Sequence, residues 1–426
     1  MKTEPARTSK WGKVVKVSLI LLTVLASIGG IAYALTDLGE AAGSYNKNFQ
    51  AAVQAKLPMT AEDMNDLYRV PSDENGGPEA LSDLLEIKKY YMQMGNGEVP
   101  EKAPLAVWKP LQSSFEKLEQ ASFKKFLIFP RDFRSDSNDC PEYTPLLKWG
   151  NLIATRCSVA VKTGDQDLAH RLIVFCARMA ILAQDNLDLV PINIRFSLAN
   201  RTAKQIGVML GLRGTEKGWR NIADEALAIL DKPYDPLPMI RFYHFRALRL
   251  VDGFMDRKTG SDPDLFSQIK YMKFVPRFER ANRSRIHDYF SRCVLEYPKN
   301  PYDFAAINRH FKNLENTKWD NNVSYMVAGF CSMGFPSIGK GMAQETAKRN
   351  VLMQACKVLA GGHDLRSGLP LKGRYAIDVD GKSLRLVKRT KGWILYSIGG
   401  DGVDDGGNDD PKKPKDFVVH LPMEVK

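Results

Sequence analysis

The residues best suited to bind an ion lie in one loop near the carboxyl terminus. Five glycines in this loop tolerate positive φ, so the backbone can turn its carbonyl oxygens inward. Carboxylate and carbonyl oxygens are the ligands that Ca²⁺ takes, with six to eight of them at roughly 2.3–2.6 Å. The loop is therefore a candidate calcium site. Between Ile398 and Phe417 it carries Asp401, Asp404, Asp405, Asp409, Asp410 and Asp416, against only Lys412, Lys413 and Lys415.

The same loop has an alternative interpretation without a metal. It does not follow the EF-hand pattern: counted from Asp401, the third position is Val403 and the twelfth is Lys412, where a ligand and a bidentate Glu belong. Asp and Gly also favour tight turns in solvated hairpin loops. The residue types alone leave a calcium site and a simple turn both open.

The sequence contains no motif of a known catalytic class. H-E-x-x-H, G-x-S-x-G and the P-loop pattern are absent. The six cysteines have no C-x-x-C spacing and the six histidines are dispersed, so we predict no zinc site. A hydrolase would have to use scattered residues, such as His287 with Asp288 or the acids near 136–142. We predict that the protein is not an enzyme.

An apolar segment at residues 17–36 carries no charge. Twenty helical residues span roughly 30 Å, the thickness of a hydrocarbon core. Five basic residues and one acid precede it, so the positive-inside rule places residues 1–16 in the cytoplasm and the rest outside. Ala32-Tyr33-Ala34 resembles a cleavage site, and a cleaved signal peptide is the alternative. The length of the segment favours an uncleaved, single-pass anchor in the inner membrane, with the main domain periplasmic.

The charge balance favours acidic partners or a solvated basic surface. The formal net charge is +12, from 61 Lys and Arg against 49 Asp and Glu. Residues 264–300 mix aromatic and basic side chains, which suits either an anionic polymer or the outer face of an amphipathic helix pair. An Arg-rich tract, zinc-finger spacing and an RNA-binding signature are all absent from the sequence, so we predict protein partners and no specific nucleic acid.

A helical period dominates residues 44–360. The connections are short, and Gly164 followed by Asp165 indicates a turn and then an N-cap. This pattern predicts an irregular array of helical hairpins without a fixed repeat. Apolar residues recur every three or four positions over 146–161, 167–183, 191–210, 219–229 and 341–359, and we predict a helix over each.

Residues 361–426 change to a strand pattern. Apolar residues alternate at Tyr375 and Ile377, and Asp380-Gly381 indicates a hairpin turn. Further strands are predicted around 384–386, 393–395 and 416–422. We expect a small antiparallel sheet packed on the helix at 341–359, so that the fold class is mainly α with a small β module.

The stretch "LYSIGGDGVDDGG…KDFVV" resembles the carboxyl-terminal loop of the major pseudopilins of type II secretion. In that family the loop holds a structural calcium ion. The resemblance implies that Asp401 and Asp416 occupy the two most diagnostic acidic positions and that the carbonyl of Ile398 lies near a backbone ligand position. Further candidate ligands are Asp404, Asp405 and Asp409.

A second resemblance covers more of the chain. The segments "DENGGPEAL", "FPRDF" and "GDQDLAHRLIVFCARMAILAQDNLDLVPINI" are similar to those of uncharacterised bacterial envelope proteins with one membrane anchor, a helical array and a pseudopilin-like tail. That similarity implies an architecture and no activity. We therefore expect an anchored extracytoplasmic protein with a helical interaction domain and a structural calcium loop. A pseudopilin-like secretion component, which would lack its usual processing signature, and an envelope hydrolase are the alternatives.

Overall fold

The structure is a computed structural model. It shows thirteen α-helices within the residues that it describes, and then a three-stranded antiparallel sheet. The predicted mainly helical class with a small carboxyl-terminal sheet is confirmed. The described residues are 10–93, 104–131, 133–134, 143–184, 189–255, 278–300, 303–315, 335–360, 371, 373–390, 392–399, 402–408 and 416–421.

The chain divides into two compact units that alternate along the sequence. Unit 1 comprises residues 1–57, 244–295 and 316–333, and unit 2 comprises 58–243, 296–315 and 334–426. The domain boundaries expected from the sequence, at residues 16, 36, 44 and 360, mark changes in sequence pattern, whereas the two units are defined by contacts. Those boundaries stay predictions.

Three helices form most of what is described in unit 1: α1 (Lys10–Gly43), α2 (Tyr45–Gln54) and α11 (Phe278–Leu295). Helix α11 packs against both others. The buried Asn48 side chain donates to the Ser284 hydroxyl at 3.0 Å, which ties α2 to α11. Of the basic and aromatic segment 264–300, the part up to residue 277 lies outside the described residues.

Helix α1 contains the whole apolar segment 17–36. Burial changes abruptly along this helix: Leu35 is 48% exposed, whereas Asp37 and Leu38 are only 6% and 2% exposed. No helix within the described residues is both long and apolar enough to cross a bilayer, and the side chains of 10–22 and 24–26 are outside that description. The anchor expected over 17–36 is thus not supported by the described residues and stays a prediction. Four large apolar side chains just before Asp37 are exposed: Ile28, Ile31, Tyr33 and Leu35.

Unit 2 begins with a series of helices in which α6, α7, α8 and α9 each pack on the next. Gly164 has a φ of 79°, and the Asp165 carboxylate accepts the Leu168 N–H at 3.2 Å. The predicted turn and N-cap are confirmed, because the cap satisfies an amide that the first helical turn leaves unpaired. The helices are α3 (Ala61–Tyr68), α4 (Gly77–Gln93), α5 (Pro104–Ala121), α6 (Tyr143–Thr163), α7 (Gln166–Ala183), α8 (Leu189–Arg213) and α9 (Lys217–Leu230). The next helix, α10 (Leu237–Met255), begins in unit 2 and belongs to unit 1 from His244 onward.

The carboxyl-terminal sheet packs on a long helix, as predicted. Unit 2 continues with α12 (Phe304–Glu315) and α13 (Phe335–Ala360), and α13 contacts two strands of the sheet as well as α8 and α9. The strands are β1 (Arg385–Arg389), β2 (Gly392–Ser397) and β3 (Phe417–Leu421), with β2 in the centre. One apolar core therefore runs from the helices into the sheet, where Leu395 is fully buried.

The strand expected at Tyr375 and Ile377 is wrong. Residues Arg374–Ala376 form a 3₁₀ turn, and Ile377 makes only an isolated bridge with Ser383. The cause is tertiary, because the side chains of Arg374 and Tyr375 both bind Asp231 at the end of α9. The predicted turn at Asp380-Gly381 is confirmed, with a φ of 80° at Gly381.

A buried ion pair joins α8 to α13. The Arg195 side chain is 1% exposed and donates to both oxygens of Glu345, at 3.1 Å from Nε and 2.7 Å from Nη2. It also donates to the Gln184 side chain and to the Lys232 carbonyl. A buried charge is tolerated when its hydrogen-bonding capacity is met in this way.

The "NGG" segment at residues 75–77 has a structural role. The Asn75 carboxamide accepts the N–H groups of Gly77 and Ile128, at 3.0 and 2.9 Å, and donates to the Ile128 carbonyl at 2.9 Å. A Cβ on Gly77 would lie 2.0 Å from that carbonyl oxygen. Asn75 and Gly77 lie in the "DENGGPEAL" segment, and Ile128 immediately precedes "FPRDF". Two segments that carry the envelope-protein resemblance thus lie close together in space.

Cys157 and Cys176 are core residues, as expected from the helical pattern. Both are buried and have free thiols. Burial raises the pKa of the Cys157 thiol to about 12 and that of Cys176 further, which leaves both thiols protonated and unreactive at neutral pH.

Candidate functional site

The acidic loop leaves the sheet at the end of β2. Its described glycines, Gly399, Gly402, Gly406 and Gly407, all have φ between 69° and 72°. A Cβ on Gly407 would lie 2.5 Å from the Ile394 side chain, so the loop backbone approaches β2 closely there. The glycines thus turn the chain with positive φ, as the sequence predicted.

A buried carboxylate under the loop was not among the predicted site residues. Asp378 has no exposed side-chain surface. One oxygen accepts the Ser397 hydroxyl and the Val379 N–H, the latter at 2.7 Å, and the other accepts the Ile398 N–H at 3.0 Å. Asp378 therefore fixes the exit of β2 to the preceding turn. In the sequence it lies two residues before the predicted Asp380-Gly381 turn, and the turn pattern gave no indication of this role.

Arg385 of β1 is the counter-charge of several acids. Its guanidinium binds Asp378, Asp380 at 2.9 Å and Asp404 at 2.9 Å. The other Asp404 oxygen accepts the Gly406 N–H at 3.0 Å and the Tyr396 hydroxyl at 3.2 Å. The Gly406 N–H first, and then Arg385, hold the pKa of Asp404 below its ordinary value, so this carboxylate is ionised. Part of the acidity of the loop is thus balanced by the protein itself.

Asp416, just before β3, is the described acid that best suits a metal. Its side chain is buried, and Oδ2 accepts the N–H groups of Gly407 and Asn408 at 2.8 and 3.4 Å. Its Oδ1 atom is also buried and has no hydrogen-bond partner among the described residues. A buried carboxylate oxygen needs a cation or a donor. This oxygen therefore fits a role as a calcium ligand.

The remaining predicted ligands are placed only in part. Asp405 is half-buried and lines an open groove with Gly406, Gly407 and Asn408. Ile398 is buried at the start of the loop. The described residues contain no group of three or more Asp, Glu, His or Cys side chains that could hold a metal. Asp401 and Asp409 lie outside the described residues, so the full ligand set stays a prediction.

The residues considered for catalysis lie elsewhere. His287 of α11 is buried in unit 1, and its Nδ1 lies 3.0 Å from Nε2 of His244. The rings of Tyr45, Phe49 and Phe290 surround these two residues, which we call the histidine pair. Their enclosure is typical of a satisfied core interaction. The acids near 136–142 lie outside the described residues. The absence of catalysis stays a prediction, and an envelope hydrolase stays the alternative to it.

Comparison with known proteins adds no relative: no protein family, no curated protein and no solved structure matches this chain. The resemblances to the pseudopilin loop and to envelope proteins stay predictions that rest on the quoted segments.

Proposed function

We propose that the chain is a single-pass, membrane-anchored extracytoplasmic protein, whose helical domain binds envelope proteins and whose carboxyl-terminal loop is stabilised by calcium. The change in burial along α1 carries the proposal. Ile28 and Ile31 are 58% and 61% exposed, whereas Leu38 is 2% exposed. Exposed apolar side chains clustered on one continuous helix favour a membrane or protein surface over water. The uncharged stretch 17–36 and its basic upstream flank make the membrane the better candidate.

Carbonate extraction of membranes tests the anchor. The wild-type chain should stay in the pellet, and Ile28→Lys should release part of it, because a lysine near the centre of a spanning helix costs about 3 kcal/mol. Val53→Lys is the matched control, since Val53 is 51% exposed on α2 and lies beyond the apolar stretch. Release of the wild type, or equal release of both variants, would contradict the anchor. An amino terminus at residue 35 would show a cleaved leader instead.

The helical array supports the interaction role. Helices α6 to α9 each pack on the next, which is an arrangement that helical binding proteins also use. A pull-down from the native envelope, compared with a pull-down by the anchor segment alone, tests this part. Partners that bind the anchor segment equally well would contradict binding by the helical domain.

The calcium proposal is supported by the buried, unpaired Oδ1 of Asp416. A ligand that binds only the folded state at a hundred times its dissociation constant stabilises that state by about 2.7 kcal/mol. We therefore expect a higher melting temperature in calcium than in EDTA. Asp416→Asn and Asp401→Ala should remove this difference.

Asp378→Asn is the control for the calcium test. This carboxylate is occupied by Arg385, Ser397 and backbone N–H groups. The variant should therefore melt at a lower temperature in calcium and in EDTA alike, and should retain the difference between them. Identical melting curves of the wild type in calcium and in EDTA would refute the calcium proposal.

A further inference from the structure

A small cavity in unit 2 has no role in the proposed function. It measures about 240 Å³ and lies between α13, the segment 374–381 and the chain before α12. Arg349 and Asn350 of α13 line one side. Pockets for drug-sized ligands are roughly 300–1,000 Å³. This cavity therefore suits a small molecule or one group of a larger molecule.

Arg349 contributes a buried positive charge to the cavity. The residue is 5% exposed, and its Nε lies 3.4 Å from Asp231 Oδ1 while Nη1 lies 3.5 Å from the Leu230 carbonyl oxygen. Its Nε makes no hydrogen bond to the described part of the chain. A guanidinium has five N–H donors. Both contacts are long, and Asp231 Oδ1 likewise has no hydrogen-bond partner among the described residues. Burial lowers the pKa of Arg349 against the opposing effects of Asp231, Glu345 and Tyr375.

A second guanidinium stands at the rim of the same cavity. Arg374 is half exposed and binds Asp231 Oδ2, which also accepts the Tyr375 hydroxyl at 2.7 Å. Lys357 Nζ lies 5.0 Å from the centre of the Tyr375 ring. Two guanidinium groups, those of Arg349 and Arg374, thus share the Asp231 carboxylate.

The acids that line the cavity are already occupied. Asp378 is bound by Arg385 and by backbone and hydroxyl donors. Asp303 caps α12, since its Oδ1 accepts the Ala306 N–H at 2.9 Å. These contacts disfavour a cation, whereas Arg349 and Arg374 line the cavity with two guanidinium groups.

We propose that this cavity binds an oxyanion group, the carboxylate or phosphate of a small molecule, between the guanidinium groups of Arg349 and Arg374. A planar guanidinium donates two parallel hydrogen bonds to such a group, and these charge-assisted bonds are the strong ones. The ligand would supply Arg349 with an acceptor at a shorter distance than Asp231 or the Leu230 carbonyl.

Isothermal titration of the purified full chain tests the site, with inorganic phosphate and with succinate at constant ionic strength. We expect binding of at least one of them at millimolar concentration. Arg374→Gln should weaken it by about ten- to a hundredfold, from the typical strength of one hydrogen bond to a charged group. Arg171→Gln is the matched control, because its side chain is 49% exposed and ion-paired, against 50% for Arg374.

Ile377→Trp is a second variant that fills the cavity without removing an arginine. Ile377 lines the cavity and is 43% exposed, so the larger ring does not disturb the core. Binding of phosphate alone would identify phosphorylated molecules as the ligands, and binding of succinate alone would identify carboxylates. Either result supports the site. Lack of binding by either anion overturns the proposal, as does binding that survives both Arg374→Gln and Ile377→Trp.

Discussion

Acidification should destabilise unit 1 through the histidine pair, His244 and His287. Both rings are buried, at 0% and 2% exposure, with Nε2 and Nδ1 3.0 Å apart. Burial, and then the nearby Arg283, lower the pKa of His287 from its ordinary 6.5 to about 4. Between pH 6.5 and about 4, His287 is therefore neutral in the folded protein and gains a proton when the protein unfolds.

The magnitude follows from the two pKa values. Above pH 6.5 both the folded and the unfolded states hold His287 neutral, and its full contribution to stability is present. Between pH 6.5 and about 4 the unfolded state binds one more proton, so the free energy of unfolding decreases as the pH falls. The pKa values of His287 in the unfolded and folded states differ by about 2.5, and each pKa unit corresponds to about 1.4 kcal/mol. We expect a loss of about 3 kcal/mol.

Urea unfolding from pH 7.5 to 4.5 measures this loss, with hydrogen exchange of peptides from α11 as the readout after correction for intrinsic exchange rates. His287→Gln cannot gain the proton, so its stability should be lower at neutral pH but should vary less with pH. His170→Gln is the control, since His170 is exposed and bound to Glu225. A wild-type loss below about 1 kcal/mol, or an unchanged pH dependence in His287→Gln, would refute the reasoning.

Three substitutions in unit 2 should lower the free energy of unfolding by different amounts. Glu345→Ala leaves Arg195 buried without its carboxylate and should cost about 3–5 kcal/mol in urea denaturation. Gly77→Ala places a Cβ against the rigid Ile128 carbonyl, and the backbone shift should cost about 1–3 kcal/mol in the same assay. Thr60→Ala removes the capping box of α3 and should cost about 1 kcal/mol, measured as a lower melting temperature.

Matched controls separate these mechanisms from general damage. Glu225→Ala removes an exposed carboxylate and should cost less than about 1 kcal/mol. Gly211 lies in α8, and a Cβ added there would meet open space, so Gly211→Ala should be neutral or stabilising by roughly 0.5–1 kcal/mol. Equal losses for Glu345→Ala and Glu225→Ala, or for the two glycine variants, would contradict the structural explanation.

The helices of unit 2 were predictable because their signals are local. The apolar period gave α7 at 166–183 against an expected 167–183, and Asp165 caps it as its position indicated. The Asp380-Gly381 turn is equally local, since a glycine with positive φ marks it. The 3₁₀ turn at 374–376 was not predictable in this way, because its conformation depends on Asp231, more than a hundred residues away.

The candidate calcium loop shows the same division. Its position, its glycines and its acids are evident in the sequence. The separate roles of Asp404 and Asp416 are not, because they depend on which donors surround each carboxylate. Arg385 reaches Asp404, whereas Asp416 meets two backbone N–H groups and keeps one buried oxygen without a described partner.

By itself the sequence determined the helical class, the hairpin turns, the small sheet and the location of the acidic loop, since periodicity, caps and turn residues act over a few positions. Only the tertiary structure decided which charges meet. Arg195 binds Glu345 across 150 residues, and the histidine pair forms across 43. Such contacts cannot be inferred from the spacing of residues in the sequence, because the packing of distant helices decides which side chains are buried and which of them meet.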